Sequence, residues 1–239
     1  MTARAADGFA ADRRPRCCFS ILTNVDTHSA GTDYWNKAGT AKTFGHPLDL
    51  AWLGSLGPDA AVVDYGCGYG RLAGALLAAG YPDIEGFDVS APLIERARRE
   101  QPGARFAVLD DPPRLARADA SVDALLLFAV LTCAPDSDAQ RGIVGEIRRV
   151  VKPGGLLYLS DYCLQSDARN VTRYGEHEAR FGRYGVFETG DGAVCRHHER
   201  EWLHDLLSGF EVVRERDVPV ETMNGNPAVA TQLLGRCRP

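Results

Sequence analysis

Short apolar runs alternate along the chain with amphipathic stretches, and the alternation has the rhythm of a layered fold. Ala60 to Tyr65 is apolar and rich in valine, bounded by Pro58-Asp59 and Gly66, and predicts a buried strand. Residues 70–80 predict a helix that stops at Gly80. Ile84 to Asp88 predicts a short strand, and Ser90 caps a following helix with Pro92 in its first turn. Arg105 to Leu109 predicts a strand leading into a proline-containing loop or short helix. Val122 to Phe128 predicts a stronger strand, and residues 138–151 an amphipathic helix. Leu156 to Ser160 is the next strand, entered through Lys152-Pro153-Gly154-Gly155. Strands separated by helices predict an α/β fold, a doubly wound, mainly parallel sheet covered on both faces. With no internal repeat or low-complexity tract, residues 31–239 are expected to form a single domain.

The flanks depart from that rhythm. Residues 1–30 lack apolar periodicity and are expected to be a mobile leader. Arg13-Arg14 is followed by too short and interrupted an apolar stretch to act as an export signal. Residues 31–57 form an aromatic, polar cap segment, with a short helix expected at about 48–56 after Pro47. Residues 161–198 are polar, aromatic and glycine-punctuated, which predicts a lid-like insertion after the fifth strand. A helix from Glu199 to Leu207 and strands Phe210–Val213 and Ala228–Leu234, read as an antiparallel pair, follow.

Composition narrows the partners. The 239 residues carry a net charge of −5, which argues against nucleic acid, since a phosphate-backbone binder presents a basic face. The longest apolar run, Ala124 to Leu131, falls far short of the roughly 20 residues a membrane span needs. Seven cysteines, odd in number and scattered, predict reduced thiols and a cytoplasmic location; the adjacent pair Cys17-Cys18 reads as incidental.

The most informative stretch is Asp64-Tyr65-Gly66-Cys67-Gly68-Tyr69-Gly70-Arg71, placed where the first strand turns into the first helix. Gly66 and Gly68 let backbone pass close to a ligand. Asp88 ends the next strand and can accept both hydrogen bonds of a ribose diol. The glycines are spaced one residue tighter than in the dinucleotide fingerprint, and no Gly-Lys-Ser/Thr follows for a P-loop. Asp64, two positions before the first glycine, would repel a pyrophosphate and suits an ammonium. These features favour S-adenosylmethionine over a nicotinamide dinucleotide.

The chain therefore resembles the class I S-adenosylmethionine-dependent methyltransferases. Asp64 to Gly70 matches that family's first motif and Asp88 its ribose-binding acid. Leu109-Asp110-Asp111 matches the position that meets adenine, Val122–Phe128 the fourth strand, and Val151–Gly155 the turn before the fifth. The resemblance implies a Rossmann-like sheet of seven strands with an antiparallel last strand. Its implied donor-binding set is Asp64, Gly66, Cys67, Gly68, Arg71, Asp88, Val89, Leu109, Asp110, Asp111 and Phe128, with Arg71 on the methionine carboxylate. Tyr34-Trp35, Lys42 to Leu48, Gly192 to His198 and Thr222 to Asn226 further resemble a subgroup of small bacterial methyltransferases.

The expected reaction is methyl transfer to a small-molecule nucleophile, releasing S-adenosylhomocysteine. The alternatives are a cofactor-assisted cyclisation or decarboxylation and a cofactor-sensing module. Tyr34, Trp35, Phe44, His46, Tyr162, His197 and His198 are expected at the acceptor. His197 or His198 is the candidate base, because a histidine titrates near working pH. Cys195, His197, His198 and His177 lack a recognised zinc-ligand spacing, so no metal is assigned.

Overall fold

The computed structural model describes residues 27–239; the rest of the expected leader, with Arg13-Arg14 and Cys17-Cys18, lies outside the described residues. The strands are β1 (Val62–Tyr65), β2 (Ile84–Asp88), β3 (Arg105–Val108), β4 (Val122–Phe128), β5 (Val151–Asp161), β6 (Val186–Glu188), β7 (Val194–Arg196), β8 (Phe210–Glu221) and β9 (Pro227–Cys237). Seven of them form one sheet in the order β3-β2-β1-β4-β5-β9-β8, while β6 and β7 pair as a separate antiparallel hairpin. The first five run parallel, and β9 is antiparallel to both β5 and β8. This is the α/β fold that the alternating pattern predicts.

Side-chain alternation along the strands divides the core between the two faces of the sheet. Val62, Ile84, Ala124, Leu126, Leu156 and Tyr158 face one side. Against them pack α2 (Arg71–Ala78), through Leu72, Ala73 and Leu76, and α3 (Ala91–Glu100), through Ile94 and Ala97. Val63, Tyr65, Leu125, Leu127, Leu157 and Leu159 face the other side. There they meet Ile143, Val144 and Ile147 of α4 (Ser137–Val150) and Leu203 and Leu206 of α6 (Arg200–Leu206). Leu125 to Leu127 are fully enclosed, so truncating any one to alanine would cost about 2–5 kcal/mol.

Local caps follow the sequence. Ser90 accepts the Leu93 N–H at the head of α3, and Asp136 accepts Asp138 N–H and Ala139 N–H at the head of α4.

Several expectations need correction. A helix, α1 (Thr27–Asn36), begins inside the stretch expected to be leader. In place of a helix at 48–56 there is a single 3-10 turn, Leu50–Leu53, capped by Asp49 and buried through Trp52 and Leu53. The proline-containing stretch after β3 takes the loop form, one of the two alternatives expected for it. The insertion holds a full helix, α5 (Ala168–Phe181), whose only fully buried side chains are Asn170 and Tyr174, one turn apart. So narrow a buried stripe leaves little apolar periodicity to read. The last two strands run to Glu221 and Cys237, well past the short apolar runs that announce them.

Candidate functional site

The strand order reverses between β1 and β4, the point at which open α/β sheets leave a crevice at their carboxyl ends. A cavity of about 390 Å³ lies there. The chain leaves β1 through a tight loop in which Gly66 N–H and Cys67 N–H both donate to the Phe87 carbonyl. Gly66 and Gly68 have φ of +73° and +53°, left-handed values that side chains rarely adopt. A Cβ on Gly66 would stand 2.4 Å from Val130 Cγ2, and one on Gly68 would stand 3.0 Å from the Phe44 ring. The glycines thus permit both the turn and the close packing above it.

Two carboxylates face this loop. Asp88 is 9% exposed; its Oδ2 accepts Gly68 N–H and its Oδ1 accepts Ser90 N–H, each at 2.9 Å. Each oxygen keeps a lone pair for a further donor. Burial raises the Asp88 pKa, against the opposing pull of the backbone N–H groups. Asp64 is 1% exposed and lines the cavity, and its Oδ2 has no hydrogen-bond partner. Burial, only partly offset by the Arg71 charge and reinforced by Asp88, pushes its pKa up to about 7. A buried carboxylate with a free oxygen is poised for a cationic donor.

Arg71 lines the same cavity. Its guanidinium donates to the His46 carbonyl at 2.7 Å, fastening the cap segment to the glycine loop. Val89, Leu109 and Phe128 complete the wall, with Cys67 contributing beside a buried thiol whose pKa burial raises. Asp110 and Asp111 are not brought to the cavity. Both are exposed, and beyond Leu109 the wall is made by Pro112 and Pro113, because the loop turns its carboxylates to solvent.

A second pocket, of about 80 Å³, adjoins the first and shares Trp35, Phe44, Ala129 and Cys133 with it. His46, Tyr162 and His197 stand along it as a row of rings, His46 edge-on to Tyr162 at 4.8 Å and Tyr162 stacked on His197 at 5.1 Å. His46 Nδ1 meets Ser160 Oγ at 2.8 Å, while its Nε2 is buried and unpartnered. Burial lowers the His46 pKa to about 4 and holds His197 well below the usual histidine value, so both rings are neutral at pH 7.

Two expected acceptor residues lie elsewhere. His198 is fully buried away from either pocket, its Nε2 3.5 Å from Asp161 Oδ1. The chain is extended here, so consecutive side chains point oppositely and only one of the two histidines reaches the pocket. Tyr34 lines neither pocket; its hydroxyl donates to Asp191 Oδ2 at 3.0 Å. Arg169, Arg173, Thr189, Asn224 and Asn226, not singled out as site residues from the sequence, do line the second pocket. The signal for the two arginines was their spacing of four on a capped polar stretch. Among the described residues no group of three or more His, Cys, Asp or Glu side chains is placed to hold a metal ion.

Comparison with known proteins agrees with this geometry. A methyltransferase-domain family matches residues 63–159. The 2-methyl-6-phytyl-1,4-hydroquinone methyltransferase of a Synechocystis strain is 35% identical over 123 residues, covering 50% of this chain and 37% of that protein. The ribosomal protein L11 methyltransferase of Shewanella pealeana is 34% identical over 135 residues, covering 54% and 44%. The chain thus spans less than half the length of these two relatives. A crystal structure of an S-adenosylmethionine-dependent methyltransferase from Methanosarcina mazei superposes with a TM-score of 0.75 at 25% identity, over 81% of this chain and 99% of the other. The [4+2]-cyclase SpnF shares the fold alone, with a TM-score of 0.55 at 19% identity over 75% of each chain. Residues 63–159 therefore carry a methyltransferase domain, in a chain whose fold is that of an S-adenosylmethionine-dependent methyltransferase.

Proposed function

We propose that this chain transfers a methyl group from S-adenosylmethionine to a small-molecule nucleophile. The observation that carries the reading is the pair of adjoining cavities, one built round Asp64 and Asp88, the other closed over by the insertion and the cap segment. When bound, the cofactor supplies a methyl group on a positively charged sulfur, which an oxygen, nitrogen, sulfur or carbon acceptor displaces to leave S-adenosylhomocysteine.

The larger cavity suits that cofactor by the chemistry of its lining. Asp64, with its free Oδ2, would take the ammonium, and the spare lone pairs of Asp88 the ribose hydroxyls. Arg71 would answer the carboxylate with the nitrogens that His46 leaves free, and Val89, Leu109 and Phe128 offer apolar surface to the base. Trp35, Phe44 and Tyr69 pack over the glycine loop, Phe44 stacked on Tyr69 at 5.7 Å, and exclude water from the reacting end. Alignment of two reactants in this way can contribute about 7–11 kcal/mol.

His197 does not have the form of a base. The buried Tyr174 hydroxyl accepts Gln165 N–H at 3.2 Å and a hydrogen bond from Arg173, which occupies both lone pairs, so its own proton goes to His197 Nδ1. A neutral ring that accepts at Nδ1 carries its proton on Nε2. That nitrogen is a donor, and an acceptor that arrives ionised needs no base at all.

A small-molecule acceptor fits the size of the second pocket and the acidic net charge. Free thiols at all five described cysteines suit a cytoplasmic setting, and among the described residues no helix is long and apolar enough to cross a membrane. Incubation with methyl-labelled S-adenosylmethionine and a panel of small acceptors tests the reading. Label in an organic product is the expected result. Substrate converted without label would point to cofactor-assisted cyclisation or decarboxylation, and tight cofactor binding without turnover to a sensing module.

A further inference from the structure

Building on the methyl-transfer reading, we propose that the acceptor is a small carboxylate with a flat apolar body, held by the Arg173 guanidinium in the pocket beneath α5. The pocket measures about 80 Å³ where a single water needs roughly 10–15 Å³. Its walls are aromatic, formed by Trp35, Phe44, Tyr162 and Phe187, which favours a planar occupant.

Its charged equipment is cationic and only partly engaged, the Tyr174 hydroxyl being the one side-chain hydrogen-bond partner of Arg173. Arg173 Nε is buried without a hydrogen-bond partner, and the guanidinium lies 3.4 Å over the Phe187 ring centroid. Burial lowers the Arg173 pKa, and the neighbours that bear on it are Tyr174, Arg169 and Cys195, none of them a carboxylate. Arg169 stands one helical turn away on the same face of α5; its own acid, Asp167, is 3.8 Å off, and both side chains are substantially exposed. Burying a guanidinium without a counter-ion is costly, and a bound carboxylate offsets that cost through short, charge-assisted contacts.

The rest of the pocket agrees in sign. His197 presents an N–H by the Tyr174 argument, and His46 is neutral, so neither repels nor neutralises an anion. The acids nearby are already engaged. Asp161 accepts Thr132 N–H and Tyr162 N–H, and Asp191 accepts from Lys42, Tyr34 and Thr189. Glu221 is at the rim and exposed. A neutral amide of the same shape would offer Arg173 a carbonyl acceptor but no countercharge, and the site should discriminate on that ground.

The test is calorimetric titration of matched acid and amide pairs into the protein saturated with S-adenosylhomocysteine. The pairs are benzoate and benzamide, cinnamate and cinnamamide, and indole-3-acetate and its amide. At least one acid is expected to bind roughly tenfold or more tighter than its amide. Arg173→Gln should shrink that preference to within about threefold and Arg173→Lys should keep most of it, since the charge remains. S-adenosylhomocysteine affinity should stay within about twofold in both variants, which also certifies their folding. Amides that bind as tightly as acids, a preference that survives Arg173→Gln, or no acid binding at all would overturn the proposal. Failure of S-adenosylhomocysteine to bind the wild-type protein would instead remove the donor reading on which it rests.

Discussion

Burial bears heavily on Asp64 in the larger cavity. Its carboxyl pKa is about 7 when folded, against an ordinary 3.8. The folded state therefore holds a proton that the unfolded chain has released, and this group's contribution to stability is lost as pH rises from about 4 through 7. Asp64→Asn should raise the melting temperature of the ligand-free protein at pH 8, by about 2–4 °C for each kcal/mol relieved, and change it little at pH 4. The same substitution should abolish tight S-adenosylhomocysteine binding. In the wild-type protein the ammonium selects the ionised carboxylate, so affinity should fall as pH drops below 7, by up to about tenfold per pH unit. Calorimetry between pH 5.5 and 8 checks it, and an affinity flat across that range would remove Asp64 from the ammonium site. Asp64, Asp88 and the glycines were legible in the sequence because a strand, a turn and the next strand place them locally. Arg173 was not, since only the docking of α5 brings it to the pocket. The choice between His197 and His198 also depended on strand facing, which one sequence does not show.

At the scale of elements, three segments distant in sequence close over the acceptor pocket. Lys42 Nζ, from the cap segment, meets Asp191 Oδ2 of the β6–β7 turn and Asn224 Oδ1 of the β8–β9 turn, each at 2.5 Å. Tyr34 of α1 and Thr189 also donate to Asp191. Tyr34, Lys42 and Asn224 fall in three of the segments singled out in the sequence, and Asp191 directly precedes a fourth. Single surface ion pairs contribute about 0.2–1 kcal/mol, but this network reinforces an apolar cluster in which Tyr34 and Met223 pack against Phe187, Ala193 and Cys195. Asp191→Ala should speed hydrogen exchange at residues 42–46 and 222–226 and raise the acceptor KM roughly three- to tenfold, leaving donor affinity within about twofold. Unchanged exchange at both segments would show that the clasp is not what closes the pocket. The glycine loop makes a second element-scale prediction. Gly66→Ala combines a φ of +73° with a 2.4 Å contact to Val130, and should lower stability by about 1–3 kcal/mol in denaturant titration. The parallel strands were readable as apolar runs, whereas α5 and the ends of the late hairpin were not, because few of their side chains are buried.

For the whole molecule, the fold brings two chemically different cavities together at the point where strand order reverses. The larger cavity, proposed for the donor, is acidic and built from β1, β2 and their loops. The smaller, proposed for the acceptor, is aromatic and cationic and built chiefly from parts outside the matched domain: the cap segment, α5 and the two hairpin turns. The 2-methyl-6-phytyl-1,4-hydroquinone and ribosomal protein L11 methyltransferases, each matched over about half of this chain, differ by name in what they methylate, as such a division would allow. The division predicts that the two sites fail independently. Titration of the wild-type, Asp88→Ala and Arg173→Gln proteins with S-adenosylhomocysteine tests this most directly. One site is expected in the wild type, weakened by about 1.5–3 kcal/mol in Asp88→Ala and unchanged in Arg173→Gln. A wild-type protein that does not bind, or an Asp88→Ala variant with undiminished affinity, would contradict it.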